Sequence, residues 1–237
     1  MIKYLTAQSR IIARLAPEVA RHPDGESVHR LRVATRRART VLWCLRHGSA
    51  RLQFKELDQS LKSLGGRLGK IREVDVAVRD AKQFGLSRSD FTGRKKFAQK
   101  KLKKWMNGEE GVKLMGQLSS ALQTIRENSP ISEKEAFGSL TSRLSRQLER
   151  DIHGQKKLHQ IRIIMKRAEY VLEFLHKPLG PIKRLQSLLG DAHDLEFLQA
   201  LIGENKKVKA KQKSLNKKAV RIVKPVIRFA IAELGGK

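Results

Sequence analysis

An eleven-residue segment occurs twice. His29-Arg30-Leu31-Arg32-Val33-Ala34-Thr35-Arg36-Arg37-Ala38-Arg39 returns 130 positions later as His159-Gln160-Ile161-Arg162-Ile163-Ile164-Met165-Lys166-Arg167-Ala168-Glu169. A second pair follows at a spacing of 121. Leu61-Lys62-Ser63-Leu64, Leu68-Gly69 and Arg72-Glu73-Val74-Asp75 match Ile182-Lys183-Arg184-Leu185, Leu189-Gly190 and His193-Asp194-Leu195-Glu196. Upstream, Arg14 and Arg21 have counterparts in Arg143 and Arg150. Three correspondences in the same order point to a duplication. The chain divides into two related helical halves, 1–128 and 129–237, with Asn128-Ser129-Pro130 as the boundary.

The repeated segment has a helical period. At ~100° per residue, Leu31, Ala34, Ala38, Val41, Leu42 and Leu45 share one face, and His29, Arg32, Arg36 and Arg39 lie roughly opposite. Strand-like alternation is scarce throughout, so the fold class is all-α. The pattern predicts helices at 2–21, 26–47, 50–68, 72–84, 89–107, 110–127, 132–152, 157–176, 181–190, 192–203 and 205–234. Pro23-Asp24-Gly25 ends the first, and Asp24 or Ser27 caps the second. Gly65, Gly66 and Gly69 are expected to end the helix at 50–68. Pro225 is expected to kink or split the last one.

The basic stripe directs attention to the charge. The 237 residues carry 51 Lys+Arg against 23 Asp+Glu, a net charge of +28. Such a field gathers polyanions and disfavours a site for a small cationic or neutral substrate. With 40% hydrophobic residues the chain supports a packed core. The one cysteine, Cys44, excludes an intrachain disulfide and a Cys-rich zinc site. It falls on the flank of an apolar face, as core filler. No apolar run approaches the ~20 residues of a membrane span, and the charged N-terminus is unlike a signal peptide. A soluble, cytoplasmic protein is expected.

His29, Arg32 and Arg36 stand at i, i+3, i+7, with Arg39 beyond; His159, Arg162 and Lys166 repeat the spacing. Stacked like charges repel by about 0.2–0.5 kcal/mol per pair. A linear anion between them removes that repulsion, and arginine can grip each phosphate through two nitrogens. The plain alternative, a solvated basic face, fits one such helix better than two. Rows at Lys3, Arg10, Arg14 and Arg21, at Lys96, Lys100 and Lys103, and at Lys206, Lys213, Lys217 and Lys224 are ordinary solvated faces in the simplest reading.

Other chemistry is less well supported. His29, His159 and His193, with Glu73, Asp191 and Asp194, are suitable types for a metal site, but no closely spaced histidine pair exists and cations surround each one. No metal or other cofactor is expected. Glu73, Asp75, Asp191 and Asp194 are expected at helix starts after Gly69 and Gly190, where they complement the helix dipole or hold arginines in place. Phosphate-binding loops and nucleophile elbows are absent from the sequence. Aromatics make up 5%, and Tyr4, Trp43, Trp105 and Tyr170 do not interleave with the basic stripes. Binders of single-stranded nucleic acid use stacking platforms; a phosphate chain without bases needs none.

Ser27 through Arg39 closely resembles the first signature of the CHAD domain, the conserved histidine α-helical domain. Leu68-Gly69-Lys70-Ile71-Arg72-Glu73-Val74-Asp75-Val76 is similar to its Leu-Gly-x-x-Arg-Asp-x-Asp motif. Leu158-His159-Gln160-Ile161-Arg162, Lys166-Arg167, Leu188-Leu189-Gly190 and Asp194-Leu195 resemble the signatures of its second half. The resemblance covers essentially the whole chain. It implies two pseudo-symmetric four-helix-bundle-like halves around a basic central cleft or pore. It also implies non-catalytic binding of inorganic polyphosphate, in association with polyphosphate granules. Carried over by position, the ligands are His29, Arg32, Arg36, Arg39, Lys62 and Arg72, then His159, Arg162, Lys166 and Lys183. Arg14, Arg21, Arg143 and Arg150 join them on the repeat alone, and Arg37 and Arg167 point off the stripe. Glu169 stands where the signature has a base, Glu73 replaces Asp, and His193 stands where Asn is common and adds a titrating donor. Two further readings remain: an RNA- or DNA-binding helical protein, and a metal-dependent phosphohydrolase.

Overall fold

The computed structural model describes residues 1–45, 51–86, 89–127, 133–152 and 154–235. Among these the chain forms helices and no strand, as the all-α reading expects. The elements are α1 (Ile2–Arg21), α2 (Gly25–Leu45), α3 (Arg51–Gln83), α4 (Ser89–Met106), α5 (Glu109–Glu127), α6 (Glu133–Leu148), α7 (Gln155–Phe174), α8 (Gly180–Ile202) and α9 (Lys206–Glu233). They gather into two compact units, Met1–Arg79 with Ser87–Ser132, and Asp80–Leu86 with Glu133–Lys237. The expected boundary at Asn128-Ser129-Pro130 lies outside the described residues, as do the expected helix ends at 47, 50 and 132.

In the first unit α1 packs along α2, and α4 and α5 pack on α1 and on each other. The core draws Leu5, Ile12 and Val19 from α1, Leu31, Ala38 and Leu42 from α2, and Leu57, Leu61, Leu64 and Leu68 from α3. Leu102 and Trp105 of α4 and Leu114 of α5 complete it. Every member of the apolar face assigned to α2 is buried, and Cys44 is buried beside it. A fully buried leucine contributes about 1.5–3 kcal/mol relative to an exposed one. In the second unit α8 lies along α9, α7 packs on both, and α6 packs on α7 and α9. Leu140, Leu144, Met165, Leu172, Ile182, Leu185, Leu198, Val223 and Ile227 are among its buried side chains.

The start of α2 follows its sequence. The Asp24 carboxylate accepts from the backbone N–H groups of Glu26 and Ser27, each at 2.9 Å, and from the Ser27 hydroxyl. These bonds, the Ser27 hydroxyl first, hold the exposed Asp24 carboxyl below its ordinary range.

The glycine motifs behave otherwise. Gly65, Gly66 and Gly69 sit inside the uninterrupted α3, and Gly190 sits inside α8. The four short helices expected here are two long ones. The reason lies in the apolar register. Leu57, Leu61, Leu64, Leu68, Ile71 and Val74 keep one phase across the glycines, as do Ile182, Leu185, Leu189, Ala192, Leu195 and Leu198 across Gly190. Their burial outweighs the ~1 kcal/mol that each helical glycine costs. Glu73, Asp75, Asp191 and Asp194 consequently lie within helices, and their expected place in a first helical turn is wrong. Pro225 does not split α9: it is exposed, while Val223, Val226, Ile227 and Ala230 continue the buried face past it.

Candidate functional site

Within the first unit, the outer face of α2 presents His29 exposed and Arg32, Arg36 and Arg39 half-buried. Apolar burial on the opposite side of the helix sets this orientation. Arg39 is already engaged: its Nε donates to Asp58 Oδ1 of α3 at 2.8 Å. On α3, Lys62 is exposed and Arg72 half-buried. The Lys95 ammonium of α4 lies 2.6 Å from Asp75 Oδ1. This ion pair gives one acid of the glycine motif the structural role of holding a cation, though the cation is a lysine of α4 and no arginine of the stripe. Arg14 and Arg21 are exposed on α1.

Within the second unit, α7 presents His159 exposed and Arg162 and Lys166 half-buried. His159 and Arg162 line a cavity of about 20 Å³ together with His193 and Glu196 of α8 and Gln212 and Asn216 of α9. The His159 and His193 rings stand 5.3 Å apart, tilted by 53°. Glu196 Oε2 lies 3.5 Å from His193 Nδ1. Burial first, and the Arg162 guanidinium next, push the His193 imidazole below its ordinary 6.5. Glu196 opposes that shift, and the charge of His159 adds to it. An imidazole donates through one ring nitrogen when neutral and through both when protonated, and the Arg162 guanidinium lining the same cavity donates only, so the group can receive an anion.

Lys166 is partly neutralised. Its ammonium lies 2.7 Å from Glu169 Oε2, three residues on, and 5.3 Å from the centre of the Tyr170 ring. Lys183 is exposed on α8. Arg143 and Arg150 lie apart from the His159 cavity, in a groove between α6 and α7 lined also by Arg146, Arg167, Gln147, Gln160, Ile163 and Ile164.

Three features go beyond the residues expected from the sequence. His193, a substituted motif position, meets His159. Gln212 and Asn216 are brought in only by the packing of α9. Arg146 lines the α6–α7 groove, and the i, i+3, i+7 spacing that it shares with Arg143 and Arg150 is its signal in the sequence. Among the described residues no group of three or more His, Cys, Asp or Glu is arranged to hold a metal ion. The lysines at 206, 213, 217 and 224 are all exposed, as are those at 96, 100 and 103.

The family model of the CHAD domain matches residues 3–203. Two solved structures share the fold. PptA from Streptomyces chartreusis is 15% identical, with a TM-score of 0.67 over 100% of this chain and 98% of that one. The CHAD domain from the plant Ricinus communis is 22% identical, with a TM-score of 0.66 over 98% of this chain and 85% of that one. No curated protein sequence matches the chain.

Proposed function

Since the chain belongs to the CHAD domain family, we propose that it binds inorganic polyphosphate without catalysing its turnover, and that it does so at polyphosphate granules in the cytoplasm. One observation carries this reading. The same His-x-x-Arg-x-x-x-cation stripe is set on the outer face of α2 in one unit and of α7 in the other, each fixed by a buried apolar face behind it. His29, Arg32, Arg36, Arg39, Lys62 and Arg72 are the ligands from the first unit. His159, Arg162, Lys166 and Lys183 are those from the second, and Arg14, Arg21, Arg143 and Arg150 extend the contact. Binding is electrostatic and bidentate, without stacking, so it falls steeply with salt as counterions are released.

The test is competition. Long-chain polyphosphate is titrated against RNA and duplex DNA at matched charge, with phosphate release followed in Mg²⁺ and Mn²⁺. Polyphosphate is expected to win and to remain intact. Preference for nucleic acid overturns the reading, and phosphate release abolished by His29→Ala replaces it with a hydrolase. The exposed lysine row of α9 favours RNA or DNA as a weaker, sequence-independent second partner.

A further inference from the structure

The groove between α6 and α7 differs from the stripe in position and in chemistry. Around α7, Gln160, Ile163 and Arg167 lie roughly 100° from His159, Arg162 and Lys166 by the helical period. The groove has a volume of about 420 Å³, within the 300–1,000 Å³ that small-molecule sites commonly enclose. Arg143 and Arg146 stand about one turn apart on α6, and Arg150 follows two residues beyond the end of that helix. Arg167 stands on α7. Among the described residues that line it none is acidic. Four guanidinium groups at several levels match a short run of phosphates better than a single one.

The rest of the lining does not suit an inorganic chain. Ile163 is 42% exposed and borders the groove beside the buried Ile164. A lone exposed isoleucine is unremarkable, but this one stands in a cavity otherwise lined by cations, amides and the buried Ile164. Gln147 and Gln160 each offer a carbonyl acceptor as well as two donors. Phosphate oxygens have no use for an acceptor or for an apolar wall. A ligand that uses both has an organic group with polar edges attached to its phosphates.

We propose that the α6–α7 groove is a separate binding site for organic phosphates of the nucleoside di- and triphosphate class. The phosphates lie on Arg143, Arg146, Arg150 and Arg167. The organic group packs on Ile163, and Gln147 and Gln160 read its polar edge. Arg143 and Arg150 also serve the polyphosphate chain, whereas Arg146, Arg167 and Ile163 belong to the groove alone. The site does not depend on the two stripes and stands whether or not they bind polyphosphate.

The experiment measures ATP and tripolyphosphate binding by calorimetry in EDTA, on the full chain. Variants are Arg146→Gln with Arg167→Gln, Ile163→Ser, and the stripe variant Arg162→Gln. Each replaces an exposed or half-buried side chain, with folding checked by helical circular dichroism. ATP is expected to bind saturably at one site per chain. The double arginine variant should lose about a hundredfold or more in ATP affinity, the size of two lost charge-assisted bonds. Arg162→Gln should change it less than about twofold. Ile163→Ser should weaken ATP and leave tripolyphosphate unchanged. Absence of saturable ATP binding overturns the proposal, as does a loss that follows Arg162→Gln. Equal affinity for ATP and tripolyphosphate, with Ile163→Ser silent, reduces the groove to a plain phosphate clamp and overturns it too. Long-chain polyphosphate run on the same variants separates the two sites: its failure to bind the unmodified chain counts against the stripes and leaves the groove result untouched.

Discussion

His193 of α8 faces His159 of α7, ring centres 5.3 Å apart, with Arg162 and Glu196 lining the same small cavity. The duplicated histidine of the sequence signature therefore has a second titrating neighbour in the second unit. At the matching position of the first unit stands Arg72.

That contact gives the second unit a pH dependence. Burial and Arg162 hold the folded His193 below 6.5. The unfolded chain therefore takes up the proton first, and the stabilisation is present above pH 6.5 and lost as pH falls below it. The melting temperature should fall between pH 7 and pH 5.5, and fall less in His193→Asn. Thermal melts across that range check it. A bound phosphate chain reverses the sign for binding, because an anion beside His193 favours its charged form. Polyphosphate affinity should rise as pH falls, with proton uptake visible by calorimetry in buffers of different ionisation enthalpy. Uptake that survives unchanged in His193→Asn removes that residue from the site.

Charge reversal distinguishes a built site from a diffuse field. Arg32→Glu with Arg162→Glu should weaken polyphosphate binding by about a hundredfold or more, given about 1.5–3 kcal/mol for each charge-assisted contact. Lys213→Glu with Lys217→Glu should cost far less and act chiefly on the association rate. Stopped-flow binding separates the two. Equal losses mean that only the net field matters.

Two acids restrain the stripes from within. Glu169 holds Lys166 at 2.7 Å, and Asp58 holds the Arg39 Nε at 2.8 Å. Glu169→Gln should release the lysine and raise polyphosphate affinity by about two- to fivefold, the size of one partly exposed ion pair. Equilibrium titration at 0.15 M salt reads the change. A decrease shows that Glu169 positions Lys166 for the ligand.

Two glycines of α5 should respond in opposite directions to alanine. A Cβ at Gly111 overlaps the Met106 carbonyl oxygen and stands 2.6 Å from its carbonyl carbon. That is backbone, and it cannot move aside without opening the turn from α4 into α5. Gly111→Ala should destabilise the first unit by about 2 kcal/mol or more. Gly116 is exposed, and a Cβ there meets nothing within 4 Å. Gly116→Ala should stabilise by about 0.5–1 kcal/mol, the helix-propensity difference. Denaturant melts of both variants give the comparison.

The fold was legible where burial alone decides it. The apolar face of α2 could be placed residue by residue, because a period of 3.6 with alanine and leucine on one side admits few other arrangements. The two halves of the stripe could be placed for the same reason. The glycine motifs misled because local propensity at Gly65, Gly66 and Gly69 points one way and the register from Leu57 to Val74 points the other. Tertiary packing won, as it does when six apolar residues oppose three glycines. The meeting of His159 with His193, and the polar wall from Gln212 and Asn216, could not be read at all. They depend on how α7, α8 and α9 cross, and no single-helix pattern carries that information.

The unbroken course of α3 and α8 has a mechanical consequence. At Gly65 the α2 and α3 helices lie close together: a Cβ there would stand 3.5 Å from the Thr35 methyl, whose hydroxyl is turned back to Leu31 O at 2.8 Å. The glycine thins the helix at this point instead of bending it. Ten residues of continuous helix then separate Lys62 from Arg72, which sets a fixed step of about 15 Å between them. With Gly65 a spacer and no hinge, α3 works as a rigid rule, and an anion that reaches both residues must conform to the protein's spacing, since the helix cannot shorten to meet it.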